Sequence, residues 1–251
     1  MAGLNNLWWL LVLLVPFLIS QRRLHREIQA VFLLITRRGE ISLAMFSLLF
    51  FPGVFLHETS HFVVARLLGV RTGRFSLLPR PLNNGRLQLG FVETAATDVL
   101  RDALIGVAPL ITGGIFVAYT GIVYLGLPAL WENLPGSGPG DWMAALSALS
   151  AQPDFWLWFY LTFAVSSTML PSSSDRRAWL PVTIIVLILL LLSLFAGAGP
   201  WLLLHMAPAF ERFLQAVILV LGISLLIHLV LLPPLWLVHR LLSRLTGLDV
   251  V

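Results

Sequence analysis

Residues 41–68 read ISLAMFSLLFFPGVFLHETSHFVVARLL. Positions 41–56 carry no charge, and then His57-Glu58-Thr59-Ser60-His61 places three ionisable groups within five positions. A run this long and apolar suits a membrane span. A charged side chain near the bilayer centre costs ~2.5–3.5 kcal/mol on insertion scales. Three ionisable groups there are hard to explain as packing. On a helix, positions i and i+4 share a face, so both imidazoles can ligate one metal ion, with Glu58 beside them to take a proton from a water held there. Pro52 and Gly53, just upstream, can bend or loosen the helix.

The rest of the chain supports a lipid setting. Of its 251 residues 58% are hydrophobic and 11% charged, with a mean hydropathy of +0.91. A soluble domain is about 45–50% apolar and about 25% charged. These proportions exclude a disordered chain, a nucleic-acid binder built on basic patches, and an ordinary soluble enzyme. The net charge is +4, and all 16 basic residues are Arg. There is no Cys, so any metal must use His or carboxylate ligands. Candidate spans fall near 4–20, 41–68, 100–127, 154–171, 178–198 and 212–238, and the run at 29–36 is too short to cross. The run at 7–19 lacks a basic start and a cleavage site, which predicts a retained span. Asn84-Gly85 between two alternating runs predicts a hairpin over 71–93, and 128–153, with LPGSGPG, a flexible loop. The expected fold is an all-α polytopic membrane protein. It has roughly six transmembrane helices and a small membrane-associated β-hairpin between the second and third.

Arg placement orients the later spans. Arg71, Arg74, Arg80, Arg86 and Arg101 mark 71–101 as cytoplasmic, and Arg176–Arg177 and Arg240 with Arg244 alternate consistently with it. Five Arg in 21–40 disagree if 41–68 crosses once.

A catalytic zinc takes three protein ligands and keeps one position open. Asp175 follows Pro171, whose ring ends a helix, so its carboxylate can sit on irregular backbone inside the bundle or pair with Arg176 or Arg177. His205 and His228 are rivals, the latter more commonly a bonded core histidine. His25 and His239 sit in Arg-rich flanks and read as surface residues.

The stretch HETSHFVVARLLGVRTGRFSL, then Gly106-Val107-Ala108-Pro109-Leu110, then the Pro-containing turn of 167–175 ending in Asp, come in the order of three signatures. In these the chain resembles the site-2 protease family of intramembrane zinc metalloproteases, over roughly 57–179. The resemblance implies one zinc ion per chain held by His57, His61 and Asp175, with Glu58 as general base. It implies a substrate that is itself a transmembrane segment. It divides the chain into an N-terminal span and interfacial segment (1–40), a catalytic core (41–179) and a C-terminal pair of spans (180–251). Phe75, Leu77, Leu89, Pro109, Thr112 and Ser167 are the expected substrate-binding residues. Where the family has Gly after the Asp, Arg176 stands here. Thr112 and Ser166 or Ser167 stand near places where it often has Asn.

The expected setting is a multi-pass position in a cell membrane, prokaryotic from compactness and all-Arg usage. Lipid and a transmembrane protein are the partners; nucleic acid is not. Two other readings are open: an inactive scaffold that binds a partner helix, and a membrane protease class taking a Glu ligand from a later helix. Glu211 is the only late Glu, and no motif surrounds it. A transporter would show internal repeats, which are absent.

Overall fold

In lipid a backbone has no water to bond, so apolar runs satisfy their own N–H and C=O groups by coiling. The computed structural model describes residues 2–81, 87–127, 147 and 149–248. It consists of helices with one small region of strands.

Helix α1 (Ala2–Thr36) is continuous for 35 residues. The run at 29–36, expected as a separate interfacial piece, is its last part, because no Gly or Pro interrupts 17–36. The stretch 41–68 splits into α2 (Gly39–Leu49) and α3 (Phe51–Leu67), bent by 68°. Pro52 lies in the first turn of α3, where its missing N–H would have had no partner.

The expected hairpin is a pair of two-stranded antiparallel ladders. Strands β1 (Thr72–Ser76) and β4 (Phe91–Thr94) pair with an irregularity between Thr72 and Phe75, and β2 (Arg80–Pro81) pairs with β3 (Leu87–Gln88). The predicted Asn84-Gly85 turn and most of the 128–153 loop lie outside the described residues.

Helix α4 (Val99–Val123) starts at Asp98, whose carboxylate accepts the Arg101 N–H at 3.0 Å. Helix α5 (Phe155–Thr168) has 14 residues, or ~21 Å at ~1.5 Å each, short of the ~30 Å hydrocarbon core. Asp154, in the left-handed region at φ 60°, begins it, and the helix stops three residues before Pro171. Helix α6 (Trp179–Phe195) turns by 119° into α7 (Gly199–His205), and α8 (Ala207–Thr246) runs for 40 residues.

Among the described residues six spans are not confirmed. Three helices, α1, α4 and α8, are long and apolar enough to cross a membrane, or five if α2–α3 and α6–α7 each count as one bent span. The difference is α5, which lies packed between α3, α4 and α8.

Side-chain contacts set the helix directions. Tyr160 Oη donates to the Leu49 carbonyl at 3.0 Å, and the His57 ring bonds the Thr168 carbonyl at 2.8 Å, so α3 and α5 run the same way. Thr162 donates to Thr120 at 2.9 Å while Gly113 faces Met169, so α4 runs against them. Phe17 and Phe163 both pack on His228, and Gln21 donates to the Ser167 carbonyl at 2.6 Å. Helix α1 thus runs with α5, and its Arg22, Arg23 and Arg26 lie toward the same end as Arg176 and Arg177. This accounts for the Arg cluster that a single crossing at 41–68 leaves on the wrong side.

Candidate metal centre

The two histidines of α3 stand one turn apart on its inner face. Their Nδ1 atoms each meet a backbone carbonyl: Thr168 for His57 and Ile105 for His61, both at 2.8 Å. A carbonyl only accepts, so both Nδ1 atoms are donors and both neutral rings turn bare Nε2 lone pairs inward. Those Nε2 atoms lie 3.3 Å apart.

Asp175 closes the group. Its Oδ2 is 3.7 Å from His57 Nε2, and its Oδ1 is 3.4 Å from His61 Nε2. One ligand atom from each of the three residues falls within 4.8 Å of the others. Three acceptors facing one point repel each other unless a proton or cation lies between them. Two imidazoles and a carboxylate, each imidazole fixed by a backbone carbonyl, form a donor set that suits zinc.

The turn after α5 holds the carboxylate in place. Ser172 N–H donates to Asp175 Oδ2 at 2.7 Å, and Asp175 N–H donates back to Ser172 Oγ at 3.3 Å. Arg177 does not neutralise Asp175. Its Nε and Nη2 bond both oxygens of Asp102 on α4, at 2.7 and 2.6 Å, and this pairing raises the Arg177 guanidinium further above its ordinary value. One turn along α4, Gly106 lies directly against the Asp175 carbonyl, where a side chain would not fit.

Glu58 is buried and lines the same cavity, which has a volume of about 540 Å³. Leu89, Gly90, Phe91, Val92 and Thr94 form one wall. A Cβ at Gly90 would stand 2.8 Å from Glu58 Cγ and 3.2 Å from its Oε1, so glycine is what lets this strand lie over the carboxylate.

The cavity wall includes Leu89 and Ser167 among the residues expected to bind substrate, but not Phe75, Leu77, Pro109 or Thr112. Phe75 sets its ring against Phe62 at 6.0 Å, and Leu77 packs on the core. Pro109 is buried within α4, and Thr112 turns its hydroxyl back onto the Ala108 carbonyl at 3.0 Å. Thr112 borders a small apolar groove between α3 and α4.

No protein-family model, curated protein or solved structure matches this chain.

The remaining histidines sort plainly. His228 is a buried core residue with both ring nitrogens engaged, Nδ1 by the Ser224 carbonyl at 2.6 Å and Nε2 by Ser167 Oγ at 2.9 Å. It has no lone pair to offer a metal. His205 is exposed and stacks on Trp201. His239 and His25, expected at the surface, are not there. His239 Nδ1 meets Glu27 Oε2 at 2.6 Å between α8 and α1. His25 lines the cavity. The Arg-rich flank hid this, although Phe17, Gln21 and His25 at intervals of four already mark one face of α1.

Proposed function

We propose that this chain is an intramembrane zinc metalloprotease that hydrolyses a peptide bond within or near a transmembrane segment of a membrane-protein substrate. One observation carries the reading. Two imidazoles from an apolar helix and a carboxylate from a distant turn converge in a cavity that also holds a buried glutamate.

His57, His61 and Asp175 would hold the ion. A zinc ion bound there would supply polarisation of the scissile carbonyl and of the attacking water. Glu58 takes a proton from that water and delivers it to the departing amine. The carbonyls of Thr168 and Ile105 keep the imidazoles in the tautomer that ligates. A transmembrane substrate hides its carbonyls in i to i−4 bonds and must be unwound before attack. The extended backbone of 89–94 along the cavity offers a surface on which an unwound strand is held, as in strand addition. The Arg residues of 71–101 then face cytoplasmic headgroups. A prokaryotic cell membrane belongs to this proposal too. Here α5 serves as a short span inside the bundle and α2–α3 as a re-entrant pair, so the chain crosses five times, through α1, α4, α5, α6–α7 and α8, rather than the expected six.

Metal content and cleavage test it together. Detergent-purified wild type should hold one zinc per chain and cut a model single-span substrate. Glu58→Gln should keep the zinc and lose cleavage, while His57→Ala and Asp175→Asn should lose zinc. Cleavage by Glu58→Gln at the wild-type rate, or full zinc retention in Asp175→Asn, refutes the assignment.

A further inference from the structure

His25 sits on α1 one turn after Gln21, on the face that meets α5 and α8. Its ring lies edge-on to Phe46, with centroids 5.5 Å apart, and tilted against Phe50 at 4.8 Å. It forms part of the same cavity wall as His57, Glu58 and Asp175. No polar group among the described residues fixes it. Among the described residues, its Nε2 is the one buried side-chain nitrogen or oxygen without a hydrogen-bond partner. An unpaired buried polar atom opposes folding, and a leucine would fill the same aromatic niche without that penalty. The imidazole therefore has a use other than packing.

Its position indicates which use. Phe50, on which His25 rests, precedes His57 by seven residues, which is roughly 10 Å of helical rise. Val54, between them, also lines the cavity. His25 is not among the groups that converge to hold an ion, yet it shares their cavity. An extended peptide advances about 3.3 Å per residue, so a chain lying over the metal site reaches His25 about three residues away. An imidazole can donate to a carbonyl or accept from an amide N–H, and an unwound backbone presents both unpaired.

We propose that His25 is a substrate-binding residue that hydrogen-bonds a backbone amide of the unwound substrate about three residues from the scissile bond. The inference rests on the protease reading above and adds to it a contribution from α1.

The experiment compares zinc-loaded wild type, Glu58→Gln, His25→Leu and His25→Gln. It measures kcat and KM on a single-span substrate, melting temperature, and Kd for two probes. Acetohydroxamate reaches only the metal, and a tripeptide hydroxamate extends far enough to meet residue 25. His25→Leu should raise KM and weaken the tripeptide hydroxamate by about tenfold, the loss of one hydrogen bond. It should leave zinc content and acetohydroxamate binding unchanged and melt no lower than wild type. His25→Gln, whose amide still bonds, should recover part of the loss.

Wild-type KM and probe affinity in His25→Leu overturn the proposal, and so does an equal loss for both probes, which would place the effect at the metal. A wild type that cuts no better than Glu58→Gln fails the protease reading itself. An active wild type matched by His25→Leu fails only the role of His25.

Discussion

Replacing Gly106 with alanine adds one methyl group where α4 meets the turn carrying Asp175. The new Cβ would overlap the Asp175 carbonyl oxygen and lie 2.9 Å from the carbonyl carbon. A carbon and an oxygen rest at roughly 3.2–3.4 Å, so helix and turn must part by more than about 1 Å. Overpacking of this kind costs about 1–3 kcal/mol. The better helix propensity of alanine returns ~0.5–1 kcal/mol, leaving a net loss of ~0–2.5 kcal/mol that a folded protein survives. The metal site is less tolerant. Loosening the support of a ligand lowers affinity by ~10–100-fold, and a 1 Å misplacement at a reacting centre costs ~100-fold in rate. Gly114→Ala is the matched control, because its Cβ would meet only the Val220 methyl groups at 3.9 Å, an ordinary contact. Zinc affinity is read by competition with a chromophoric chelator in detergent, alongside thermal unfolding of both apo-proteins. Gly106→Ala should release zinc at chelator strengths that wild type and Gly114→Ala resist. A Gly106→Ala protein with wild-type zinc affinity would refute the claim that α4 places the third ligand.

Three further outcomes follow from the geometry. Asp102→Asn removes the charge and one of the two acceptor oxygens that Arg177 bonds. With Arg177 exposed and Asp102 half-buried, it should cost about 1 kcal/mol of stability while weakening zinc binding. The exchange Asp102→Arg with Arg177→Asp should restore part of that binding, and no change in any of these variants would detach the pair from the site. The chain has no native Cys, so single cysteines at Arg37 and Arg71 can be labelled in intact vesicles. Both should react from the side on which Arg176 lies, the bent pair α2–α3 dipping in and returning; labelling from opposite sides would show a full crossing. Asp98, held by the Arg101 N–H at the start of α4, has its carboxyl below the usual carboxylate value. A depressed folded value means its stabilisation is complete above the unfolded pKa, near ~4, and is lost as pH falls. The acid limb of an unfolding curve should therefore flatten in Asp98→Asn, and an unchanged limb would remove the cap from consideration.

The site was legible to different depths. His57, Glu58 and His61 follow from local spacing, since one turn of helix brings i and i+4 together wherever the helix lies. Pro52 likewise signalled the break between α2 and α3. Asp175 was different. Local sequence left it open between ligand and partner of Arg176 or Arg177, and only resemblance to a family favoured the first. The structure turns its carboxylate to the imidazoles because Asp102, 75 residues away in sequence, takes Arg177 instead. Helix α5 was misread as long because hydropathy over 154–171 is the same whether the helix ends at Thr168 or three residues later. His25 was misread because neighbouring Arg residues say nothing about which face of a helix a ring occupies.

The amino-acid order alone determined that this chain forms helices long and apolar enough to cross a membrane, that it is mainly helical, and that one apolar helix carries a pair of imidazoles around a carboxylate. Those properties depend on composition and on contacts within one turn. Tertiary structure decided which carbonyls orient the rings, which carboxylate completes the cluster, which strand covers Glu58, and that α1 contributes to the cavity. Each of these is a contact between residues tens to more than a hundred positions apart, set by how the helices pack rather than by any local spacing.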